Sequence, residues 1–220
     1  MEHFTISKNG SSLHIEGFPD AVKVVAIAGK ESKRLADLSL HKADLEFADA
    51  CLDAINQAPE QPDVIREALW HSAVVHFLKC FGNSARFQLV AEKLYKGEPP
   101  EALMAFNYFK SLRNKHLVHD ENSYAQSIPG AVLNNGTKNY KVEKIVCFMA
   151  IGATLEQGNY GSLKLLIQKA RVWVVSEFDA LCNRLTADLE KETYEALMAR
   201  ESLTYRVPSV DEIQRARKAP

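Results

Sequence analysis

Apolar residues recur every three or four positions from Leu163 to Leu189, and no proline interrupts them. This spacing keeps apolar side chains on one face of an α-helix and predicts one long helix after Gly158 and Gly161, running to beyond Glu190. A helix of that length has to pack along a partner, either within a bundle or across a dimer. The spacing therefore favours a protein built from helices packed side by side.

The same spacing predicts three further helices and one shorter helical piece. Prolines mark several of their ends, because proline stops a helix from within but is tolerated in its first turn. The predicted segments are Glu31 to about Ile55, Asp63 to Phe81, Phe87 to Leu94, and Pro99-Pro100 to Leu112.

Three other stretches lack helical spacing. Asn9-Gly10 lies between two alternating segments and indicates a β-hairpin in the N-terminal arm. Residues 120–140 are predicted to be a loop, because Pro129-Gly130 and the Asn-Asn-Gly run at 134–136 are turn signals. Residues 142–155 are rich in β-branched residues and predict a strand or short hairpin.

The expected organisation is an N-terminal arm over residues 1–30, a helical domain over 31–204 and a flexible C-terminal tail over 205–220. The predicted class is mainly α with a small β element.

Composition narrows the choice of function. With 220 residues and a formal net charge of -1, any nucleic-acid contact must come from a local patch. The four cysteines form no Cys-x-x-Cys pair, so we expect reduced core thiols and no metal site. The N-terminus does not have the pattern of a signal peptide, and no apolar run is long enough for a membrane span, so a cytoplasmic protein is expected.

The segment from Lys110 to Asp120 makes the most definite chemical proposal. Arg113 can hold a phosphate with a fork of donors, His119 can carry a proton at neutral pH, and Asn114 can orient either group. On one continuous helix, Arg113 and His119 would lie ~9 Å apart along the axis and ~120° apart in direction. That suits a shared phosphate poorly, unless the helix ends near Val118 or a two-fold partner completes the site.

Arg113-Asn114, followed by His119 at the end of the third long helix, resembles the Arg-polar-(four to six)-His signature of HEPN domains, the "higher eukaryotes and prokaryotes nucleotide-binding" domains. The aromatic-rich second helix, from Leu69 to Phe81, is similar to that of several bacterial members. The resemblance implies a HEPN-like antiparallel helical bundle and metal-independent, cofactor-free endoribonuclease activity. It further implies a homodimer in a bacterial toxin–antitoxin or phage-defence setting, RNA as the partner, and a nucleotidyltransferase-like antitoxin.

Under that resemblance, Arg113, Asn114 and His119 are the catalytic residues. Auxiliary or RNA-binding roles fall to nearby polar residues, namely His116, Lys115, Lys110 and Asp120. The products would be a 2′,3′-cyclic phosphate and a 5′-hydroxyl, and DNA would be spared because it lacks the 2′-hydroxyl.

Plainer interpretations stay open for the same residues. Basic side chains in the last turn of a helix are favoured simply because they complement its dipole and its free carbonyls. The protein is then either a non-catalytic HEPN-like module that binds a nucleotide, RNA or protein partner, or a bundle that only self-associates. His71 and His76 are expected to be core or interface histidines, and the acidic run Asp44, Glu46 and Asp49 is expected to be a solvated face.

Overall fold

The structure is a computed structural model of the whole chain. It describes residues 6–9, 12–15, 17–57, 60, 62–119, 121–204 and 208–215, without the side chains of residues 6–9 and 12–14. Asp120, a predicted auxiliary residue, lies outside the described residues, as do residues 205–207 and 216–220 of the predicted tail.

The chain is mainly helical, at 58%, which confirms the predicted class. The elements expected from apolar spacing are present as α1 (Lys30–Gln57), α2 (Asp63–Lys79), α4 (Pro100–Leu112) and α5 (Gln157–Leu189). Two shorter α-helices are also present, α3 (Ala91–Leu94) and α6 (Tyr194–Ala199). No helix in the described part of the chain is both long and apolar enough to cross a bilayer.

The helical piece predicted from Phe87 starts only at Ala91. Val90 is extended, with φ -109° and ψ 110°, and serves as the residue before the helix. The backbone N–H of Phe87 donates to Asp37 Oδ2 at 3.2 Å. This part of the prediction was wrong because an apolar run is compatible with both helix and extended chain.

Two separate antiparallel hairpins account for the strands in the described part of the chain. Strand β1 (Ile6–Asn9) pairs with β2 (Ser12–Ile15), which confirms the predicted N-terminal hairpin. Strand β3 (Ala125–Leu133) pairs with β4 (Val142–Ile151), with Ala125 opposite Ile151 and Ile128 opposite Phe148.

Strand β3 falls where a loop was predicted, so that expectation was wrong for residues 125–133. Pro129 and Gly130 lie inside the strand and not in a turn. Hydrogen-bonded and non-bonded pairs alternate along an antiparallel ladder. Gly152 N–H donates to the Tyr124 carbonyl at 2.8 Å, so by alternation the Pro129–Cys147 pair is a non-bonded one. Proline costs no ladder bond there, because its nitrogen points away from β4.

The chain forms two compact units. The first comprises residues 44–81 and 89–169, with an aromatic and aliphatic core; its fully buried members include Trp70, Phe77, Phe109, Leu163 and Ile167. The indole of Trp70 meets the Phe109 ring edge-on at 6.0 Å between centroids.

The second unit comprises residues 1–43, 82–88 and 170–220. Its buried side chains include Leu38, Val174 and Leu181. His41 is also buried, and its Nε2–H donates to the Phe87 carbonyl at 2.8 Å. In the described part of the predicted tail, Val210–Gln214 forms a 3-10 helix with a capping box between Ser209 and Glu212.

The acidic run on α1 is not the solvated face that was expected. Asp44 and Asp49 are buried, each about 8% exposed. Asp44 accepts from His76 Nδ1–H at 2.8 Å, and Lys164 Nζ lies 2.6 Å from an Asp49 oxygen. Two of the four free thiols, Cys51 and Cys80, are buried as predicted, but Cys147 is exposed on β4 and Cys182 is half-buried.

Candidate functional site

The predicted catalytic segment lies where the fourth helix changes its hydrogen-bonding pattern. α4 ends at Leu112, and Arg113–Leu117 continue as one turn of π-helix. The N–H of Val118 donates to the carbonyl of Arg113, five residues back, at 3.0 Å. Helical structure stops there, and His119 lies in a bend beyond it. π-turns of this kind occur frequently at functional sites, because they change the direction of the side chains that follow.

Asn114 holds the Arg113 side chain in position. Its Nη1–H donates to Asn114 Oδ1 at 2.7 Å, so the predicted pair is brought together. Its Nε is buried and lacks a hydrogen-bond partner. Arg113 makes no ion pair with any described residue, although it is half-buried. Burial of this guanidinium N–H without a partner carries a desolvation cost.

The other predicted residues are more open. His119 is exposed and makes no hydrogen bond or ring contact with a described residue, so the single chain does not bring it against Arg113 or Asn114. Lys110 and Lys115 are exposed, and the carbonyl of Lys115 accepts from Glu121 N–H at 3.0 Å.

His116 lines a cleft of about 410 Å³, a size typical of small-ligand sites. One wall is α2, whose Asp63, Glu67 and His71 are spaced four residues apart and so lie on one helix face, with Arg66 beside them. The cleft is also lined by residues 151–155, which are the last residue of β4 and the segment that follows it. The structure therefore brings His116 and His71 into one cleft, although they are far apart in the sequence.

Tyr124 fixes the wall nearest to His116. Its ring meets the imidazole of His116 edge-on at 5.5 Å between centroids. It also covers Gly152, where an added Cβ would lie only 2.6 Å from the ring. The absence of a side chain at Gly152 thus lets the tyrosine lie flat across the base of the hairpin.

A short hydrogen-bond network supports the same wall from behind. The buried indole of Trp70 donates to Thr154 Oγ1 at 3.0 Å. Asn159 Nδ2–H donates to the Thr154 carbonyl at 3.0 Å and to the Tyr108 hydroxyl at 3.1 Å. Burial raises the pKa of Tyr108, and the nearby Tyr124 raises it further.

The cleft favours a neutral imidazole at His71. Partial burial lowers the pKa of His71, and the neighbouring His116 lowers it further, while Glu67 opposes both effects. A neutral histidine can accept a proton at neutral pH. His71 was expected to be a core or interface residue, and the structure instead places it, half-buried, in this cleft.

The cleft was not predicted from the sequence. The four-residue spacing of Asp63, Glu67 and His71 was the available signal, since it aligns three titratable side chains on one helix face. Across the described ranges, no group of three or more His, Cys, Asp or Glu side chains is placed to hold a metal ion.

No family model, curated protein or solved structure matches the chain.

Proposed function

We propose that this protein is a metal-independent endoribonuclease of the HEPN type that acts as a homodimer. The observation that carries the proposal is the state of Arg113, which is fixed by Asn114 and has a buried Nε without a partner. A positioned cation of this kind suits a phosphate whose negative charge increases during the reaction. The biological setting proposed with it is a bacterial toxin–antitoxin or phage-defence system, with a nucleotidyltransferase-like protein as antitoxin.

In this mechanism, Arg113 stabilises charge on the non-bridging oxygens of the scissile phosphate. His119 transfers the proton, taking it from the ribose 2′-hydroxyl or giving it to the leaving 5′-oxygen. Because His119 lies beyond the end of the helix, the 120° separation expected for a continuous helix no longer applies.

The remaining polar side chains of the segment are proposed to bind RNA. Lys110 and Lys115 are exposed and add two positive charges beside Arg113, where they can contact flanking phosphates. His116 lines the cleft, and its proposed role is to contact the nucleotide there.

The test is cleavage of a mixed-sequence RNA by the purified full chain in EDTA. We expect Arg113→Ala to lower the rate by about 10²–10³-fold. His119→Ala should lower it by about 10²–10⁴-fold. Arg184→Ala is the matched control, since Arg184 is an exposed arginine on α5 whose loss should leave the rate unchanged.

The product ends test the chemistry separately. A 2′,3′-cyclic phosphate and a 5′-hydroxyl are expected, and an RNA with a single 2′-deoxy nucleotide at the cut position should resist cleavage there. Abolition of cleavage by EDTA, or wild-type rates in both the Arg113 and His119 variants, would refute the mechanism. RNA binding without cleavage would instead favour a non-catalytic binding module.

A further inference from the structure

The β3–β4 hairpin exposes an unusual amount of apolar surface. The side chains of Ile145, Phe148, Met149 and Ile151 are each about 64–71% exposed on β4, and Ile128 is 59% exposed on β3. An isolated two-stranded ribbon has little stability of its own in water. Apolar surface of this extent usually marks an interaction site.

The apolar residues occupy both faces of the ribbon. The pairing places Phe148 with Ile128 on one face, whereas Ile145 and Met149 lie on the other. A partner packed against one face would leave the other face in water. A strand added at the edge would contact side chains on both faces at once.

Only one edge of the ribbon accepts a further strand along its whole length. Pro129 interrupts the outer edge of β3, because its nitrogen points outward and carries no hydrogen. By the same alternation, the N–H and C=O groups of Ile145, Cys147 and Met149 point outward from β4. No proline occurs in β4.

The outer edge of β4, with which no described residue pairs, can pair with the same edge of a second copy about a two-fold axis. Residues whose N–H and C=O groups point outward from one β4 must pair with residues of the same kind in the other β4. Among the registers that meet this condition, those that pair the most residues put Val146 or Cys147 on the two-fold axis. The product is a four-stranded sheet in which both outer edges carry Pro129, so that assembly stops at two copies.

The charges near the hairpin also favour a second copy of the chain as the partner that pairs with β4. Antiparallel pairing brings the hairpin tip of one copy alongside the base of the other, next to Ile151 and Gly152. The tip, residues 134–144, contains three lysines and one glutamate. The cleft at the base contains the carboxylates of Asp63 and Glu67 with one arginine. Histidines aside, the cleft has one more carboxylate than arginine, so a basic tip meets a cleft with an excess of carboxylate.

We propose that two copies of this protein associate by antiparallel pairing of their β4 edges, which places the lysine-bearing hairpin tip of each copy at the cleft of the other. Lys141 of a second copy then comes alongside the residues that follow β4, and the cleft gains a second cation beside Arg66. This pairing supplies an interface for the homodimer of the proposed function. The inference rests on that function only in that both require a homodimer.

The test compares two substitutions on the same face of the hairpin by size-exclusion chromatography with light scattering. Phe148→Lys puts a charge on the pairing strand, whereas Ile128→Lys puts the same charge on the neighbouring outer strand at similar exposure. We expect wild type and Ile128→Lys to be dimers and Phe148→Lys to be a monomer. A monomeric wild type, or equal behaviour of the two variants, would overturn the proposal.

Crosslinking at Cys147 provides a test without a disruptive substitution. Its exposed thiol lies on or beside the proposed axis, whereas Cys51 and Cys80 are buried. A short bismaleimide should yield covalent dimer from wild type and none from Cys147→Ser. Equal crosslinking of both proteins, or none of either, would contradict the β4–β4 interface.

These outcomes are separable from those of the cleavage assay. A dimer with the expected variant pattern that leaves RNA uncut keeps the interface and refutes the nuclease. Cleavage by a protein whose dimer survives Phe148→Lys keeps the nuclease and refutes this interface.

Discussion

Thr154→Val tests whether the wall of the cleft is held by the bond from the Trp70 indole. Trp70 is fully buried, and its N–H donates to Thr154 Oγ1 at 3.0 Å. Valine keeps the shape of threonine but removes the acceptor, so a buried N–H loses its partner. Leaving a buried donor unsatisfied costs about 1–3 kcal/mol.

The expected loss is large enough to measure relative to the total free energy of unfolding. A loss of about 2 kcal/mol is a substantial part of the roughly 5–15 kcal/mol typical of folded proteins. At about 2–4 °C per kcal/mol for a chain of this size, Tm should fall by about 4–8 °C. Calorimetry on the full chain gives the shift, and urea unfolding gives the free energy.

A matched control separates the lost bond from the substitution itself. Thr186 is exposed on α5 and its hydroxyl makes no hydrogen bond with a described residue, so Thr186→Val should change the free energy of unfolding by no more than about 0.5 kcal/mol. Equal stability of Thr154→Val and wild type would show that the indole N–H does not depend on this acceptor. The account of the cleft wall would then be wrong.

Two further predictions concern the cleft. Gly152→Ala should displace the Tyr124 ring, because the new Cβ would lie 2.6 Å from it, and this displacement should shift the NMR signals of His116. Gly158→Ala is the control, since nothing lies within 4 Å of its Cβ, and it should leave those signals unchanged. Unchanged His116 signals in Gly152→Ala would rule out the proposed packing. Because the pKa of His71 is lowered in the folded state, the unfolded chain binds its proton first as the pH falls. Stability should therefore decline from about pH 6.5, the usual histidine value, down to the lower folded pKa, and less so in His71→Gln; urea titrations with identical pH dependence in both proteins would contradict this.

The helices could be predicted because the signals for each helix lie within or next to its own segment of sequence. In α1 and α5 the apolar side chains recur with the period of the helix, and prolines or glycines lie near the ends. The N-terminal hairpin could be predicted for a similar reason, since Asn9-Gly10 is a local turn signal. Local patterns of this kind need no knowledge of distant contacts.

Strand β3 could not be predicted because Pro129-Gly130 usually marks a turn. Proline is acceptable there only because its nitrogen faces the open edge, and that depends on its pairing with Cys147 on another strand. Apolar residues on both faces of the hairpin also remove the alternation that normally identifies a strand.

The site was predictable only in part, for the same physical reason. Arg113 and Asn114 are neighbours in sequence, so their contact follows from a motif. The meeting of His71 with His116 depends on how α2 packs beside the π-turn, which no local spacing reports. Burial of Asp44 likewise depends on His76 and Lys79, which belong to a different helix.

The π-turn at Arg113–Leu117 also affects how this segment can change in length. Such a turn contains one residue more than an α-helix of the same span, since its hydrogen bonds close over five residues instead of four. Removal of Lys115, whose side chain is exposed, would allow an ordinary helix to form. Because the π-turn absorbs this extra residue, Val118 and His119 would keep their places after the deletion, and only the residues within the turn would shift. Removal of one residue from the regular part of α4 would instead rotate every later residue by about 100°, so a deletion there should disturb the cleft more than removal of Lys115.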